Sequence, residues 1–382
     1  MTNKIEKMER RGVYIHIPFC PYKCNYCDFL TFSNIDKQIP KYMEYLFKEI
    51  DLYKGEEGII DTIFIGGGTP SYIDAEYISD LMDRLRKAFN ISEDCEISIE
   101  MNPNTITEEK IKTYIKAGIN RFSLGVQTFD NEILKILGRS HSKEIVLNDI
   151  EIIKKSGGDN INIDMMLANP KQDMEILERD IDQVISLGIQ HISYYSLILE
   201  ERTYFYYLYE KGQLDLFDDD LERKMFARVK DRLKDSSFSH YEVSNFALEG
   251  YESRHNLKYW SQQKFYGIGL GSSGFDGQAR TKNYSKFKDY FACVDQGVKP
   301  FEEVNELSKE ELEKEFIIMS MRQIKGFRIQ EINDRFKINF LEKYKDLIEK
   351  YSANGVVQEV DGYFRFTEYG MDISNQFYVE II

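Results

Sequence analysis

Short apolar runs rich in β-branched residues alternate with longer amphipathic segments over the first half of the chain. The apolar runs predict β-strands at residues 13–18, 61–65, 96–101, 121–126, 160–166 and 191–197. Between them, apolar residues recur every three or four positions and predict helices at residues 41–53, 75–89, 108–117, 143–155 and 173–187. Such alternation is typical of parallel strands joined by crossover helices. Six strand–helix units favour a partial (β/α)6 barrel, because a closed barrel needs eight.

The pattern changes after residue 205. Residues 218–235 predict another helix, and residues 240–277 are rich in glycine and turn-forming residues. The pattern then becomes helical again and ends in two apolar runs around Asp361-Gly362, a strong hairpin signal. Helices followed by a hairpin predict a small helical, winged-helix-like domain. We therefore expect an α/β protein with a partial barrel at 1–205, a barrel extension at 206–300 and a winged-helix-like domain at 301–382.

The charge balance argues against nucleic acid as a partner. Of the 382 residues, 42% are hydrophobic and 30% are charged, as in a folded globular protein. The chain carries 50 Lys and Arg against 65 Asp and Glu, a formal net charge of −15. Proteins usually bind a phosphate backbone through clustered basic residues. We therefore expect no nucleic-acid partner, even for the winged-helix-like domain.

Three features predict a cytoplasmic location. No run approaches the roughly 20 apolar residues of a membrane span. The charged amino terminus lacks the apolar core of a signal peptide. Five cysteines in so long a chain fit a reducing compartment better than a secreted disulfide framework. The sequence leaves peripheral membrane contact and the oligomeric state open.

The first predicted strand is followed directly by a CxxxCxxC motif, formed by Cys20, Cys24 and Cys27. Three thiolates on one loop can hold three irons of a [4Fe–4S] cluster and leave the fourth iron open for a ligand. One alternative is a structural zinc site with His16 or Asp28 as the fourth ligand. Zinc sites of this kind usually have two CxxC arms, whereas this chain has one. Another alternative is three unrelated thiols.

Polar or glycine residues follow the next four predicted strands where each strand ends. They are Gly66–Gly68, Glu100, Gln127 and Asp164. Because the carboxyl ends of parallel barrel strands share one face, we expect these residues to converge at one mouth. Glycine backbone can approach a ligand closely, and carboxylates can accept from an ammonium or from hydroxyl groups. Individually, the glycines also fit a turn and the carboxylates also fit helix caps.

The cysteine motif after a first barrel strand resembles the radical S-adenosylmethionine superfamily. Five segments together resemble the family of oxygen-independent coproporphyrinogen III oxidase and its relatives, namely residues 14–20, 64–70, 98–103, 125–129 and 162–166. The resemblance implies a [4Fe–4S] cluster on the three cysteines. It also implies that S-adenosylmethionine is bound by Tyr14, Gly67, Gly68, Thr69, Glu100, Gln127, Arg139 and Asp164, with Tyr26 near the adenine.

Two departures from the oxidase pattern favour a different branch of that family. The oxidases carry a further cysteine two positions after the third cluster cysteine, where this chain has Phe29. Residues 255–260 form an HNxxYW motif that is similar to the heme chaperone branch. That branch implies heme binding, with His255 as the iron ligand, and delivery to client hemoproteins, respiratory ones among them. Taken alone, His255 also fits a hydrogen-bonded structural histidine.

Two enzymatic activities are alternatives to the chaperone function. One is oxidative decarboxylation of coproporphyrinogen III to protoporphyrinogen IX. The other is an anaerobic tetrapyrrole-modifying methyltransferase. Both keep the cluster and S-adenosylmethionine, so the sequence leaves open whether this cofactor is cleaved. Phe29 and the HNxxYW motif favour the chaperone.

Overall fold

The computed structural model describes residues 9–215 and 218–382. The charged amino terminus, for which we expected no signal peptide, lies mostly outside the described residues. The strands are β1 (Arg10–Ile17), β2 (Ile59–Gly67), β3 (Ile91–Met101), β4 (Arg121–Gln127), β5 (Ile161–Leu167), β6 (His191–Ser196), β7 (Ser239–His240), β8 (Asn245–Ala247), β9 (Phe265–Ile268), β10 (Ser273–Phe275), β11 (Ala279–Asn283), β12 (Phe301–Glu306), β13 (Phe327–Arg328), β14 (Val357–Val360) and β15 (Tyr363–Phe366).

The helices are α1 (Ile39–Asp51), α2 (Ala75–Ala88), α3 (Glu108–Lys116), α4 (Asn131–Ile136), α5 (Lys143–Lys155), α6 (Met174–Ser186), α7 (Tyr204–Glu210), α8 (Asp219–Asp235), α9 (Arg254–Trp260), α10 (Phe287–Asp295), α11 (Lys309–Ser320), α12 (Ile329–Phe336), α13 (Phe340–Lys343), α14 (Lys345–Ala353), α15 (Glu368–Asp372) and α16 (Ser374–Ile381). Within the described ranges, none of them is long and apolar enough to cross a membrane.

The six predicted barrel strands are confirmed. Strands β1 to β6 are parallel and lie side by side in chain order. Alternate residues of β1, such as Val13 and Ile15, point to the helices and are fully buried. The intervening Tyr14 and His16 lie on the other face, toward the barrel interior. The partial (β/α)6 barrel predicted from the sequence is therefore present.

The sheet extends beyond the six strands on both sides, which the sequence pattern did not predict. Its order is β12-β11-β10-β9-β1-β2-β3-β4-β5-β6-β8-β7. Residues 240–277, expected to be mainly turns, contain β8 to β10 and α9. Gly267 and Gly274 allow β9 and β10 to pack closely. A Cβ on Gly267 would lie 2.1 Å from the carbonyl oxygen of Ser273, and one on Gly274 would lie 3.0 Å from the backbone nitrogen of Gly267. Strands this short show no clear alternation.

The C-terminal part has the predicted winged-helix-like form. Helices surround a three-stranded sheet in the order β13-β15-β14. The predicted hairpin joins β14 to β15, and its turn residues Asp361 and Gly362 have φ values of 53° and 77°. Both angles lie in the left-handed region that a two-residue hairpin turn requires. Aromatic side chains such as Phe316, Phe340 and Phe364 form a separate core here.

Candidate cofactor site at the barrel mouth

The cysteine loop lies between β1 and α1 and is fastened to distant parts of the barrel. The backbone N–H of Cys20 donates to the carbonyl of Phe32 over 2.9 Å, and that of Asn25 donates to Leu137 over 3.0 Å. The sulfur of Cys20 lies 3.4 Å from Thr69 Oγ1 at the end of β2. Burial raises the pKa of the Cys27 thiol to about 11. The loop is therefore ordered by protein contacts, and metal binding would release the thiol protons.

Arg139 brings a positive charge to the cysteine loop. Its guanidinium donates to the sulfur of Cys24 over 3.3 Å and to Asn102 Oδ1 over 2.9 Å, and it also donates to the carbonyl of Gly125. The side chain is buried, and its Nε finds no hydrogen-bond partner among the described residues. A buried cation beside a thiol suits an anionic iron–sulfur cluster. The donor set at the loop therefore fits the cluster implied by the resemblance.

The three glycines at the end of β2 serve contacts within the protein. A Cβ on Gly67 would lie 2.5 Å from the His16 ring, and one on Gly68 would lie 2.7 Å from the carbonyl oxygen of Phe19. The N–H of Gly67 donates to Glu100 over 3.0 Å, and that of Gly68 donates to Ile17 over 2.8 Å. We expected the glycine backbone to approach a ligand with its N–H and C=O groups, but the N–H groups of Gly67 and Gly68 donate to protein acceptors.

Glu100 and Asp164 face a polar cavity of about 260 Å³ inside the barrel. Burial raises the pKa of Glu100 to about 7, and the neighbouring Asp164 carboxyl adds to this rise. Burial also raises the pKa of Asp164, against hydrogen bonds from Asn162 and others. Two carboxyl groups sharing such a space favour a bound cation or hydroxyl donors. Glu100 and Asp164 therefore share one cavity, which also reaches Arg121 and Asn162 near the amino ends of β4 and β5.

Gln127 and the two tyrosines assigned by the resemblance also lie around the barrel interior. Gln127 is buried with φ 66°, and its Oε1 finds no partner among the described residues. Tyr14 lies at the cavity and stacks on Phe64 with 6.3 Å between ring centroids. Tyr26 packs against an apolar cluster that contains Leu137. An unpartnered buried amide oxygen is a suitable acceptor for a ligand donor.

His16 is not placed as a metal ligand. Its Nδ1 lies 3.0 Å from the hydroxyl of Tyr14, and its Nε2 lies 2.9 Å from the carbonyl of Leu30. Within residues 9–215 and 218–382, no group of three or more His, Cys, Asp or Glu side chains is gathered to hold a metal ion. A [4Fe–4S] cluster binds each cysteine to a different iron, so its ligands need not converge on one point.

The HNxxYW motif lies on α9, close to β2 and β3, and its Asn256 and Tyr259 line the same cavity as Glu100 and Asp164. His255 is fully buried, and its Nδ1 lies 2.8 Å from Thr62 Oγ1 near the start of β2. Its Nε2 lies 2.8 Å from the hydroxyl of Tyr259. The backbone N–H of His255 donates to the Glu96 carboxylate over 3.0 Å. Burial lowers the pKa of His255 to about 3. Both ring nitrogens are engaged, so this conformation offers no open coordination position.

The last residue of the motif faces the C-terminal domain. The guanidinium of Arg322 lies 5.2 Å from the centroid of the Trp260 ring, and Ser320 Oγ donates to the Trp260 carbonyl over 3.2 Å.

At the other end of the barrel, the Phe29 side chain is 66% exposed. Phe29 therefore projects to solvent beside the cysteine loop, at the position where the oxidase pattern has a cysteine.

Comparison with known proteins identifies the family. Residues 14–184 match the radical SAM superfamily, and residues 307–373 match the HemN C-terminal domain. The chain is 34% identical to the heme chaperone HemW of Lactococcus lactis over 97% of both chains. It is 32% identical to the heme chaperone HemW of Bacillus subtilis over 96% of this chain and 97% of that one. The chain belongs to the HemW family.

The fold of this HemW-family chain is also that of a solved structure. Coproporphyrinogen III oxidase (HemN) from Escherichia coli, described as a radical SAM enzyme, aligns with a TM-score of 0.85 and 21% identity. The alignment covers 98% of this chain and 90% of the other. At this identity the likeness shows the fold alone. The family match supports the chaperone expectation over the oxidase alternative.

Sequence reasoning missed two residues that border the cofactor site of this HemW-family chain. Asn102 accepts from Arg139 and donates to Thr69 Oγ1 over 3.0 Å, so it connects two expected ligand residues. Asn102 directly follows β3, so the rule that polar residues after barrel strands border the site could have found it. Tyr195 lies on β6, where burial raises its pKa and the Asp164 carboxyl adds to the rise. It stood within the predicted strand at residues 191–197, in which no feature distinguished it.

Proposed function

We propose that the protein binds heme and delivers it to client hemoproteins, respiratory ones among them. The observation that carries this proposal is the identity to heme chaperones over 97% of the chain. Phe29 and the HNxxYW motif support it, because both separate the chain from the oxidase pattern. We place this activity in the cytoplasm, with peripheral membrane contact as a feature to be tested.

The cofactors of the proposal are a [4Fe–4S] cluster and S-adenosylmethionine. Cys20, Cys24 and Cys27 would hold the cluster, and its open iron would bind S-adenosylmethionine and supply the electron for cleavage of the sulfonium. The residues that would contact S-adenosylmethionine are Tyr14, Tyr26, Gly67, Gly68, Thr69, Glu100, Gln127, Arg139 and Asp164. For Gly67 and Gly68, the occupied N–H groups leave the carbonyl oxygens as the contacts.

Charge explains how these residues would work together. Arg139 offsets negative charge at the sulfur of Cys24, which favours cluster retention. Glu100 and Asp164 are forced together in a buried cavity, and a cationic amino group or ribose hydroxyls would relieve their repulsion. Gln127 supplies an unpartnered acceptor nearby. Arg121 lines the same cavity, so its wall combines two carboxyl groups with one guanidinium, and the carboxyl groups are suited to an amino group or hydroxyls of a small ligand.

The hydrogen bonds of His255 oppose a direct role as heme ligand in this conformation. The resemblance assigns it to the heme iron, but iron binding would require His255 to break its hydrogen bond to Thr62 or Tyr259. The motif also contacts the C-terminal domain through Trp260. A role in positioning that domain is consistent with these contacts.

The test uses anaerobically reconstituted protein in three assays on one preparation. Heme is titrated and followed by absorbance, heme transfer to an apo-hemoprotein is followed in the same way, and coproporphyrinogen III is offered with S-adenosylmethionine and a reductant. We expect stoichiometric heme binding, transfer to the acceptor and no porphyrin product. Catalytic formation of protoporphyrinogen IX, or absence of heme binding, would contradict the proposal.

A further inference from the structure

Arg121, at the start of β4, is a buried cation for which the chain supplies no anion. Its side chain lines the barrel cavity that Glu100 and Asp164 also border, and the residue is only 2% exposed. Among residues 9–215 and 218–382, its Nε has no hydrogen-bond partner and its guanidinium has no carboxylate oxygen within 4.0 Å. Burying a charge is costly unless a partner of opposite charge offsets it. Arg121 therefore has an open place for an anion.

The carboxylates on the strands beside β4 are engaged with other donors. On β3, Glu96 accepts from two backbone N–H groups at the start of α9, each over 3.0 Å, and Glu100 accepts from the N–H of Gly67, also over 3.0 Å. On β5, Asp164 accepts from the amide of Asn162 over 2.7 Å. None of the three pairs directly with the guanidinium, which leaves its charge without a contacting counter-ion.

The wall around the guanidinium is polar and has room for a ligand. Uncharged hydrogen-bonding groups complete it, namely Ser123, Asn162, Ser193, Asn256 and Tyr259. Directly across from Arg121 in the β3–β4 register is Ser98, whose buried Oγ also has no partner among the described residues. The cavity volume of about 260 Å³ far exceeds the roughly 30 Å³ of a water molecule in the liquid. Unpartnered polar atoms beside such a space indicate a missing ligand group.

We propose that this part of the cavity is a carboxylate-binding subsite, in which Arg121 pairs with the carboxylate of a bound ligand. A guanidinium presents two parallel N–H groups that match the two oxygens of a carboxylate. The neighbouring hydroxyl and amide groups can donate to the remaining lone pairs of those oxygens. The proposed cofactor contacts do not include Arg121, so the subsite adds a ligand group that the cofactor site does not account for.

The subsite is separate from the guanidinium of Arg139 at the cysteine loop. Arg139 donates to the carbonyl of Gly125, which lies four residues beyond Arg121 on β4. A strand advances about 3.3 Å per residue, so these two backbone positions are roughly 13 Å apart. The lining of the cavity includes Arg121 and does not include Arg139. The two guanidinium groups therefore serve different places, and an anion at the cysteine loop leaves Arg121 open.

The two carboxyl groups of the cavity limit how a ligand can lie. In the sheet register Glu100 is beside Ser123 and Asp164 is beside Gly125, both further along β4 than Arg121. Burial raises the pKa of both carboxyl groups, to about 7 for Glu100. A ligand carboxylate at Arg121 therefore lies away from them, and amino or hydroxyl groups of the same ligand or of a neighbouring one suit the carboxyl groups.

The carboxylate has two candidate sources. One is a free small organic acid, which fits the cavity as a whole. The other is a propionate arm of the proposed heme cargo, since Asn256 and Tyr259 of the HNxxYW motif belong to the cavity wall. Pockets for whole organic ligands usually measure about 300–1,000 Å³, so an arm and not the macrocycle would enter. Only this second source rests on the proposed function, and the subsite itself does not.

The subsite is tested by calorimetry on the reconstituted full-length protein at constant ionic strength, with sodium propionate as the probe and propionamide as its uncharged analogue. Wild type should bind propionate and not propionamide. Arg121→Gln should weaken propionate binding at least ~10-fold, and Arg121→Lys, which keeps the charge but loses the planar fork, should weaken it several-fold. Arg179→Gln is the control for a surface arginine and should bind propionate as wild type does.

The source of the carboxylate is tested by absorbance titration with heme and with heme dimethyl ester, in which both propionates are blocked. If the cargo supplies the carboxylate, wild type should bind heme at least ~10-fold more tightly than the ester, and this ratio should fall toward one in Arg121→Gln. If the ratio is near one in wild type while propionate binding depends on Arg121, a free organic acid is the source. Either result supports the subsite.

Melting temperatures and circular dichroism complete the test. Propionate should raise the melting temperature of wild type and leave that of Arg121→Gln unchanged. If Arg121→Gln does not fold, the affinity of the charge-preserving Arg121→Lys decides. The subsite is wrong, and the cavity holds water only, if wild type responds to neither probe or if the folded Arg121 variants respond to both as wild type does. Absence of heme binding in wild type would contradict the proposed function, while the propionate assay still decides on the subsite.

Discussion

Arg139 donates a hydrogen bond to the sulfur of Cys24 over 3.3 Å, although 115 positions separate the two residues. The contact joins the cysteine loop after β1 to the segment after α4. A further bond from Asn25 Nδ2 to the Ile136 carbonyl, over 2.8 Å, holds the same two segments together. The charge at the proposed cluster and the position of its loop therefore depend on one tertiary contact region.

We predict that Arg139→Gln weakens the cluster. The variant loses a charge-assisted hydrogen bond, a class of interaction that contributes about 1.5–3 kcal/mol. It also loses a cation that stabilises the reduced, more negative cluster, so the midpoint potential should fall. A redox titration followed by electron paramagnetic resonance measures this shift. Arg179→Gln is the control, because Arg179 is 61% exposed and forms surface ion pairs. Equal potentials in the two variants would contradict the role given to Arg139.

We predict that Cys24→Ser abolishes the visible absorbance of the reconstituted cluster. Loss of one of three cysteine ligands leaves an iron without its thiolate. Cys293→Ser is the matched control, since Cys293 lies on α10 and its sulfur contacts only backbone carbonyls near the end of that helix. Iron and sulfide analysis accompanies the spectra. A colourless wild type that binds zinc would contradict the cluster assignment as a whole.

We predict that S-adenosylmethionine binds more tightly as pH rises through neutrality. The pKa of Glu100 is raised to about 7, so below this pH the carboxyl is protonated and binding of a cation must release the proton. Affinity should therefore rise by up to about tenfold per pH unit as the pH approaches about 7 from below, and level off above about pH 7. Calorimetry in buffers of different ionisation enthalpy measures the released proton.

Glu100→Gln tests the assignment of that proton. The amide cannot titrate, so the variant should bind more weakly above neutral pH and release no proton on binding. Proton release that persists unchanged in Glu100→Gln would show that another group titrates.

We predict that His255→Ala destabilises the fold. The change removes two buried side-chain hydrogen bonds, to Thr62 and Tyr259, and leaves a cavity beside Phe64. The expected loss is about 2–4 kcal/mol in the free energy of unfolding. Urea denaturation of the protein measures it. Lys112→Ala, at a side chain 61% exposed on α3, should change this free energy by less than about 0.5 kcal/mol. Unchanged stability of His255→Ala, together with lost heme binding, would favour a direct role as ligand.

Periodicity predicted the barrel because each of its elements is long enough to show a pattern. Helix α2, for example, places Ile78, Leu81, Met82 and Leu85 on one fully buried face. Strands β7 to β10 have only two to four residues each, too few for an alternation to be visible. Their pairing comes from neighbours far along the chain, as when Gly12 to Ile15 of β1 pair with residues 265–268. No local pattern records such a partner.

Part of the candidate site followed from strand order. Polar residues at the ends of consecutive parallel strands had to share one face, and Glu100 and Asp164 do border one cavity. The glycines at the end of β2 were harder to interpret. A sequence shows that a side chain is absent, but only the structure shows that His16 and Phe19 occupy the space.

The sequence by itself determined the cysteine loop after the first strand, the six parallel strands and the C-terminal hairpin, because each is encoded in neighbouring residues. The tertiary structure decided which of the chain's histidines are closed to a ligand. His255 is buried with its ring nitrogens beside the hydroxyls of Thr62 on β2 and Tyr259 on α9. These elements come together only through sheet order and domain packing, which residue patterns along one chain do not specify.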